Sequence, residues 1–176
     1  MEADAWRIFS NMKIRLWLLA IAITVPAILT GFVAHSAFAA DVCESDIRPL
    51  NDRLLDAFTK RDIPGLMSLY VQDNSLIVFD DSAMMLTGPA EVRANFAEFF
   101  KTVTRIRVEI RKFNCAVHGD IALVTYLIPT SWADGTGDHQ QTTRYTQVLI
   151  KKNSKWLIQH EHLSVPYDPL TGKAQL

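Results

Sequence analysis

The sequence predicts an α+β domain: a curved antiparallel sheet covered on one face by N-terminal helices, preceded by a secretory signal peptide. Three observations predict it. Apolar residues recur at helical spacing between Asp41 and Val103, interrupted by one short β-branched run. From Arg105 onward the period changes to two. A separate, longer apolar stretch sits ahead of both.

That first stretch reads as an address. Lys13 and Arg15 precede an apolar run from Leu16 to Val33, and Ala37-Phe38-Ala39 supplies small residues at the positions a signal peptidase reads. An uncleaved membrane anchor is the competing reading, because the run is about long enough to span a bilayer. Pro26, Gly31 and the processing site favour cleavage. Residues 1–39 are therefore read as signal peptide, with Met12 as an alternative start, and export to the periplasm or the medium is expected for a bacterial protein. No stable membrane span is expected after processing.

Composition then limits the rest. The 176 residues are 49% hydrophobic and 21% charged, with a formal net charge of −1. Removing residues 1–39 leaves 137 residues, 15 Lys and Arg against 17 Asp and Glu. That is enough for one packed domain and leaves no basic excess to drive nucleic-acid binding. The two cysteines, Cys43 and Cys115, are too few for a disulfide scaffold. In an oxidising compartment they are a disulfide candidate, with two separate buried thiols as the alternative.

The elements follow in order. Ile47, Leu50, Leu54, Leu55 and Phe58 form one stripe of an amphipathic helix between Asp41 and Arg61. Asp62 can cap a second, short helix with Pro64 in its first turn. Ser75–Phe79 reads as a strand. Gly88-Pro89 opens a third helix with the stripe Val92, Phe96, Phe99, Phe100 and Val103, and Glu91 is well placed in its first turn. Ile106, Val108 and Ile110 then alternate with charged residues as a half-buried strand. His118-Gly119-Asp120 turns into a strand over Ile121–Thr130. Two more strands, Gln141–Lys151 and Lys155–Val165, are joined at Lys152-Asn153-Ser154. Hairpin-length links imply antiparallel pairing. The domain is read as residues 40–166, with 167–176 as a C-terminal tail.

This order resembles the nuclear transport factor 2-like superfamily, which includes SnoaL-like and ketosteroid isomerase-like proteins and has a cystatin-like cone. The resemblance rests on Phe58 to Leu66, Tyr70-Val71-Gln72-Asp73, Gly88, Arg144-x-Thr146-x-Val148 and Trp156 to Ser164. It implies the fold far more than a chemistry, because the fold hosts enzymes, binders and assembly domains. Ketosteroid isomerases pair a carboxylate base with a phenol in an apolar cavity. Aligned on Tyr70-x-x-Asp73, those two positions are Val78 and Leu54 here, and neither can exchange a proton. The resemblance therefore argues against that mechanism. Asp80, two residues on, has the parity of Val78 but falls at the end of the strand.

Alternation supplies the expected pocket. Trp156, Ile158, His160, His162 and Ser164 share one face of the last strand, and Arg144, Thr146, Val148 and Ile150 share one face of the strand before. If these faces line the cone together with Tyr126, the ligand-binding residues are Tyr126, Arg144, Trp156, His160 and His162. His160 is then the candidate proton carrier. The same polar side chains can instead hydrogen-bond one another and close the open end of the cone. A metal at His160-x-His162 would need a third ligand from His139, Asp80 or Glu161, and parity turns Glu161 away. No motif calls for a metal or a cofactor.

The expected function is binding of a small, mainly apolar molecule, with or without cofactor-independent acid–base turnover. The alternative is a non-catalytic dimeric scaffold with a packed cone. On the opposite face, Ile121, Leu123, Thr125 and Leu127, with Thr143, Tyr145, Gln147 and Leu149, make a semi-apolar surface suited to a homodimer.

Overall fold

The computed structural model describes residues 40–173; the signal-peptide reading of residues 1–39 lies outside them. Helix α1 (Arg48–Lys60) continues from a π-helical turn at Cys43–Ile47. It buries Ile47, Leu50, Asn51, Leu54 and Ala57. Arg61 ends it in a left-handed conformation. Helix α2 (Ile63–Met67) is capped by Asp62, whose Oδ1 accepts from the Gly65 amide at 2.9 Å. Helix α3 (Gly88–Thr102) starts with Glu91 accepting from the Thr87 amide at 2.7 Å. Gly88 has φ +75°, and a Cβ there would lie 2.8 Å from Oδ1 of Asn74, so both the backbone and the space require glycine.

Seven strands form one curved, open sheet. They are β1 (Ile77–Phe79), β2 (Leu86–Thr87), β3 (Arg105–Val108), β4 (Arg111–His118), β5 (Ile121–Asp134), β6 (Gly137–Lys152) and β7 (Lys155–Ser164). The order is β2-β1-β7-β6-β5-β3, and β4 also pairs with β5. The expected α+β architecture is the one observed.

Two features depart from the sequence reading. Strand β1 pairs with β7 in parallel, because the third helix and the whole meander separate them. The segment after α2 joins the same edge, with the Val71 amide donating to Ile158 at 3.0 Å and the Ile158 amide donating to Leu69 at 2.8 Å. The strand expected from Ile106 through Ile110 also ends early, at Val108, although Ile106, Val108 and Ile110 remain covered between exposed Arg107, Glu109 and Arg111. Strands β3 and β4 pair with opposite ends of β5, and Lys112 takes φ +53° beside a register shift.

One core lies between the helices and the concave face. Ala122, Val124, Tyr126 and Ile128 of β5 are buried there, with Leu149 of β6 and Trp156 and Ile158 of β7. Cys115 shares this face of β4, because it pairs with Val124. It is joined to Cys43 by a disulfide, with Cα atoms 5.9 Å apart. The bond ties the turn ahead of α1 to the sheet. Among the described residues no helix is long and apolar enough to cross a membrane.

Candidate functional site

The register of β5, β6 and β7 decides which side chains face inward. Tyr126 pairs with Tyr145, Val124 with Gln147 and Ala122 with Leu149. The inward face of β6 is therefore Thr143, Tyr145, Gln147 and Leu149. This is the reverse of the face expected from sequence. Arg144 points to the convex side, where its Nε donates to Ser164 Oγ at 3.2 Å. Both faces of β6 carry apolar residues, so alternation alone had no polarity contrast to choose between them.

Strand β7 changes parity in the middle. Leu149 pairs with Ile158 but Val148 pairs with His160, so Gln159 is an extra residue in a β-bulge. Trp156 and Ile158 face inward before the bulge, and Glu161 after it. His160 and His162 turn outward with Ile77 and Phe79, their register partners on β1. Both imidazoles stand edge-on to the Phe79 ring, at 5.3 and 5.7 Å, and Nδ1 of His160 lies 2.9 Å from the Ile77 carbonyl. A sequence signal for the bulge was present. Trp156 and Ile158 are at even positions and Leu163 is at an odd one, so an unbroken strand cannot bury all three.

The residues expected to line one site are thus separated. Arg144, His160 and His162 are on the convex side. Tyr126 is buried with its hydroxyl on Asn51 Oδ1 at 2.9 Å. Trp156 is buried but does not line the cavity described next. Its Nε1 has no partner among the described residues, and Lys151 Nζ lies 5.5 Å from its ring centre.

A cavity of about 270 Å³ opens between the helices and the wide end of the sheet. Its helical wall carries Leu54, Leu55 and Phe58 of α1 and Phe96 and Phe99 of α3. Val108, Ile128, Trp132, Tyr145 and Leu163 form the sheet wall. The helical spacing of Phe96 and Phe99 places both rings against Phe58, at 6.3 and 5.7 Å between centroids.

At one end the lining turns polar. Asp80 and Asp81 follow β1 directly and reach the cavity with Asn95, Gln141 and Thr143. Asp80 Oδ2 accepts from Asn95 Nδ2 at 2.6 Å and from Ser82 Oγ at 3.0 Å. Asp81 Oδ2 accepts from Gln141 Nε2 and from Thr143 Oγ1. Asp81 is exposed at the cavity mouth; partial desolvation there and the neighbouring Asp80 carboxylate push its carboxyl up to about 6, against the pull of Gln141 and Thr143. The sequence offers Asp80 only as a strand end and as a candidate third metal ligand, and offers no signal for Asp81.

Beneath the cavity sits a fully buried polar group. Glu161 is 3% exposed. Its Oε2 accepts from the Tyr70 hydroxyl at 2.8 Å and its Oε1 from Gln147 Nε2 at 2.7 Å. Desolvation raises its carboxyl to about 7, even though both hydrogen bonds pull the other way. Burial also holds the Tyr70, Tyr126 and Tyr145 hydroxyls well above their ordinary range, so all three stay protonated. Among the described residues no three His, Cys, Asp or Glu side chains gather as a metal site.

Comparison with known proteins places this geometry. No curated protein matches the chain. Among solved structures, a nuclear transport factor 2-like protein of unknown function from Pseudomonas putida is 26% identical, with a TM-score of 0.68 over 78% of this chain and 96% of that one. A candidate dehydratase of the same fold family from Streptomyces avermitilis is 20% identical, with a TM-score of 0.65 over 71% and 96%. A candidate calcium/calmodulin-dependent protein kinase II association domain from Xanthomonas campestris is 20% identical, with a TM-score of 0.59 over 67% and 84%. The last two likenesses carry the fold and no activity. Residues 47–168, nearly the whole described domain, match the SnoaL-like domain, and the chain belongs to that family.

Proposed function

We propose that this is an exported SnoaL-like domain that binds a small, mainly apolar molecule in the cavity between α1, α3 and the sheet. The Asp80–Asp81 pair is positioned to hydrogen-bond the molecule or exchange a proton with it. One observation carries the reading: an aromatic cavity ends in two adjacent carboxyl groups, one of them raised to about 6. A carboxyl poised near neutral pH can serve as acid or base. The volume is close to the lower end of ordinary ligand pockets, roughly 300 Å³, which favours a molecule of two fused rings or fewer. Export is supported by the Ala37-Phe38-Ala39 signal and by the disulfide, a bond of oxidising compartments.

Titration calorimetry with the neutral probe 1-naphthylmethanol tests the pocket. Saturable binding at one site per chain is expected, and Val108→Phe, which adds a ring to the cavity wall, should weaken it by about tenfold or more. Absence of binding to the folded wild-type domain would overturn the reading.

A second reading concerns the convex face. Ile121 and Leu123 are 53% and 45% exposed there. Thr125, Val148, Ile150 and Leu127 lie on the same face by register. We propose that a second copy covers this surface, since adjacent exposed aliphatic residues are uncommon on a monomer. Light scattering should give twice the chain mass for the domain and the single-chain mass for Leu123→Lys. A wild-type monomer at high concentration would remove the proposal.

A further inference from the structure

We infer that the cavity selects a small organic cation, an apolar body bearing one protonated amine, over neutral or anionic molecules of the same shape. The inference rests on the pocket reading above and adds the charge of its occupant. Three independent features of the wall point the same way.

The first is charge. Asp80 and Asp81 both reach the cavity, and among the described residues no Lys, Arg or His side chain lines it. The hydrogen-bond donors to the two carboxyls are neutral: the Asp81 amide, Asn95 and Ser82 on Asp80, and Gln141 and Thr143 on Asp81. They orient the oxygens without cancelling their charge. Two carboxylates side by side at an apolar cavity repel each other and lose hydration, and a cation relieves both costs at once.

The second is the aromatic surface. Phe58, Phe96, Phe99, Trp132 and Tyr145 all line it. Ring faces carry negative potential and attract ammonium groups, with indole the strongest of the three ring types. The third is hydrogen-bonding capacity. Tyr145 lines the cavity and its hydroxyl has no hydrogen-bond partner among the described residues, while the two carboxylates have lone pairs to spare. A primary ammonium offers three N–H donors and no acceptor. A carboxylate ligand offers only acceptors and would add a third negative charge.

The experiment compares three probes with one skeleton by titration calorimetry at pH 8, above the value of about 6 to which the Asp81 carboxyl is raised. The probes are 1-naphthylmethylamine, 1-naphthylmethanol and 1-naphthoate. The amine should bind about tenfold or more tightly than the alcohol, and the naphthoate should not bind. Asp80→Asn and Asp81→Asn should each remove most of that preference, weakening the amine by a larger factor than the alcohol. If either variant fails to fold, raising the salt concentration on the wild-type domain serves instead: the amine's affinity should fall and the alcohol's should not. An amine that binds no better than the alcohol would overturn the cation inference and leave the pocket standing. Failure of amine and alcohol alike would remove both.

Discussion

Loss of the Cys43–Cys115 bond is expected to lower the free energy of unfolding by about 4 kcal/mol. The bond closes a loop across a sequence separation of 72 residues. Cross-linking a loop of that size removes a large part of the unfolded chain's freedom, and the contribution grows with the logarithm of loop length. The domain is modest in size, so this is a substantial share of its total stability. Urea unfolding of the oxidised domain against a Cys43→Ser/Cys115→Ser double variant measures the difference. Unfolding midpoints that coincide would show that the crosslink does not contribute. Cys43 is buried and Cys115 is half-buried against the core, in register with Val124, so the serine pair also takes two hydroxyls largely out of water. Reduction of the wild-type domain without mutation separates that cost from the effect of the crosslink.

Replacement of Glu161 by Gln should change how stability depends on pH. The carboxyl rises from an ordinary value of 4.5 to about 7 in the folded domain because burial disfavours its charged form. A group whose folded value is raised contributes stability that is fully present below the unfolded value. That contribution is lost as pH rises through the folded value. The wild-type domain should therefore lose stability between about pH 4.5 and pH 7 from this group, a total of about 3 kcal/mol. Glutamine cannot ionise, so Glu161→Gln should not show that component. Asp81 titrates in part of the same window, but it is present in both proteins and largely cancels in the difference. Stability of the two proteins measured by urea unfolding from pH 4.5 to pH 8 should diverge in the variant's favour. Parallel profiles would show that Glu161 keeps its ordinary titration. Glu161→Ala should instead destabilise by about 3 kcal/mol or more at pH 4.5, because it leaves a void and strands the Tyr70 hydroxyl and the Gln147 amide, and that deficit should shrink towards pH 8 because alanine does not titrate either.

Glu161 also shows how far alternation can be trusted. Parity counted from Trp156 turns Glu161 outward and His160 inward, and the structure has them the other way round. A single bulge at Gln159 is sufficient, because a shift of one residue exchanges the two faces of everything beyond it. On β6 no bulge was needed for the assignment to invert. Val148 and Ile150 are as apolar as Tyr145 and Leu149, and the choice between them falls to packing against α1 and β5. The cavity residues Asp80 and Asp81 lay in a connection with no periodicity to read. Their proximity to Gln141 and Thr143, some 60 positions later, exists only because β1 lies beside β7 and β7 beside β6.

What the sequence determined by itself was local in origin. The stripe from Ile47 to Phe58, the Asp62 cap, Gly88 ahead of the third helix and the switch to a period of two after Thr104 each arise within a few residues, and each appears in the structure. Their order was enough to specify the α+β class, since leading helices have one extended sheet to cover. The tertiary structure decided the parallel pairing of β1 with β7, the inward face of β6, the parity change in β7 and therefore the membership of the cavity. The physical reason is that a strand's two faces are chemically distinguishable only when one is polar. This sheet is apolar enough on both that burial depends on which elements pack across it.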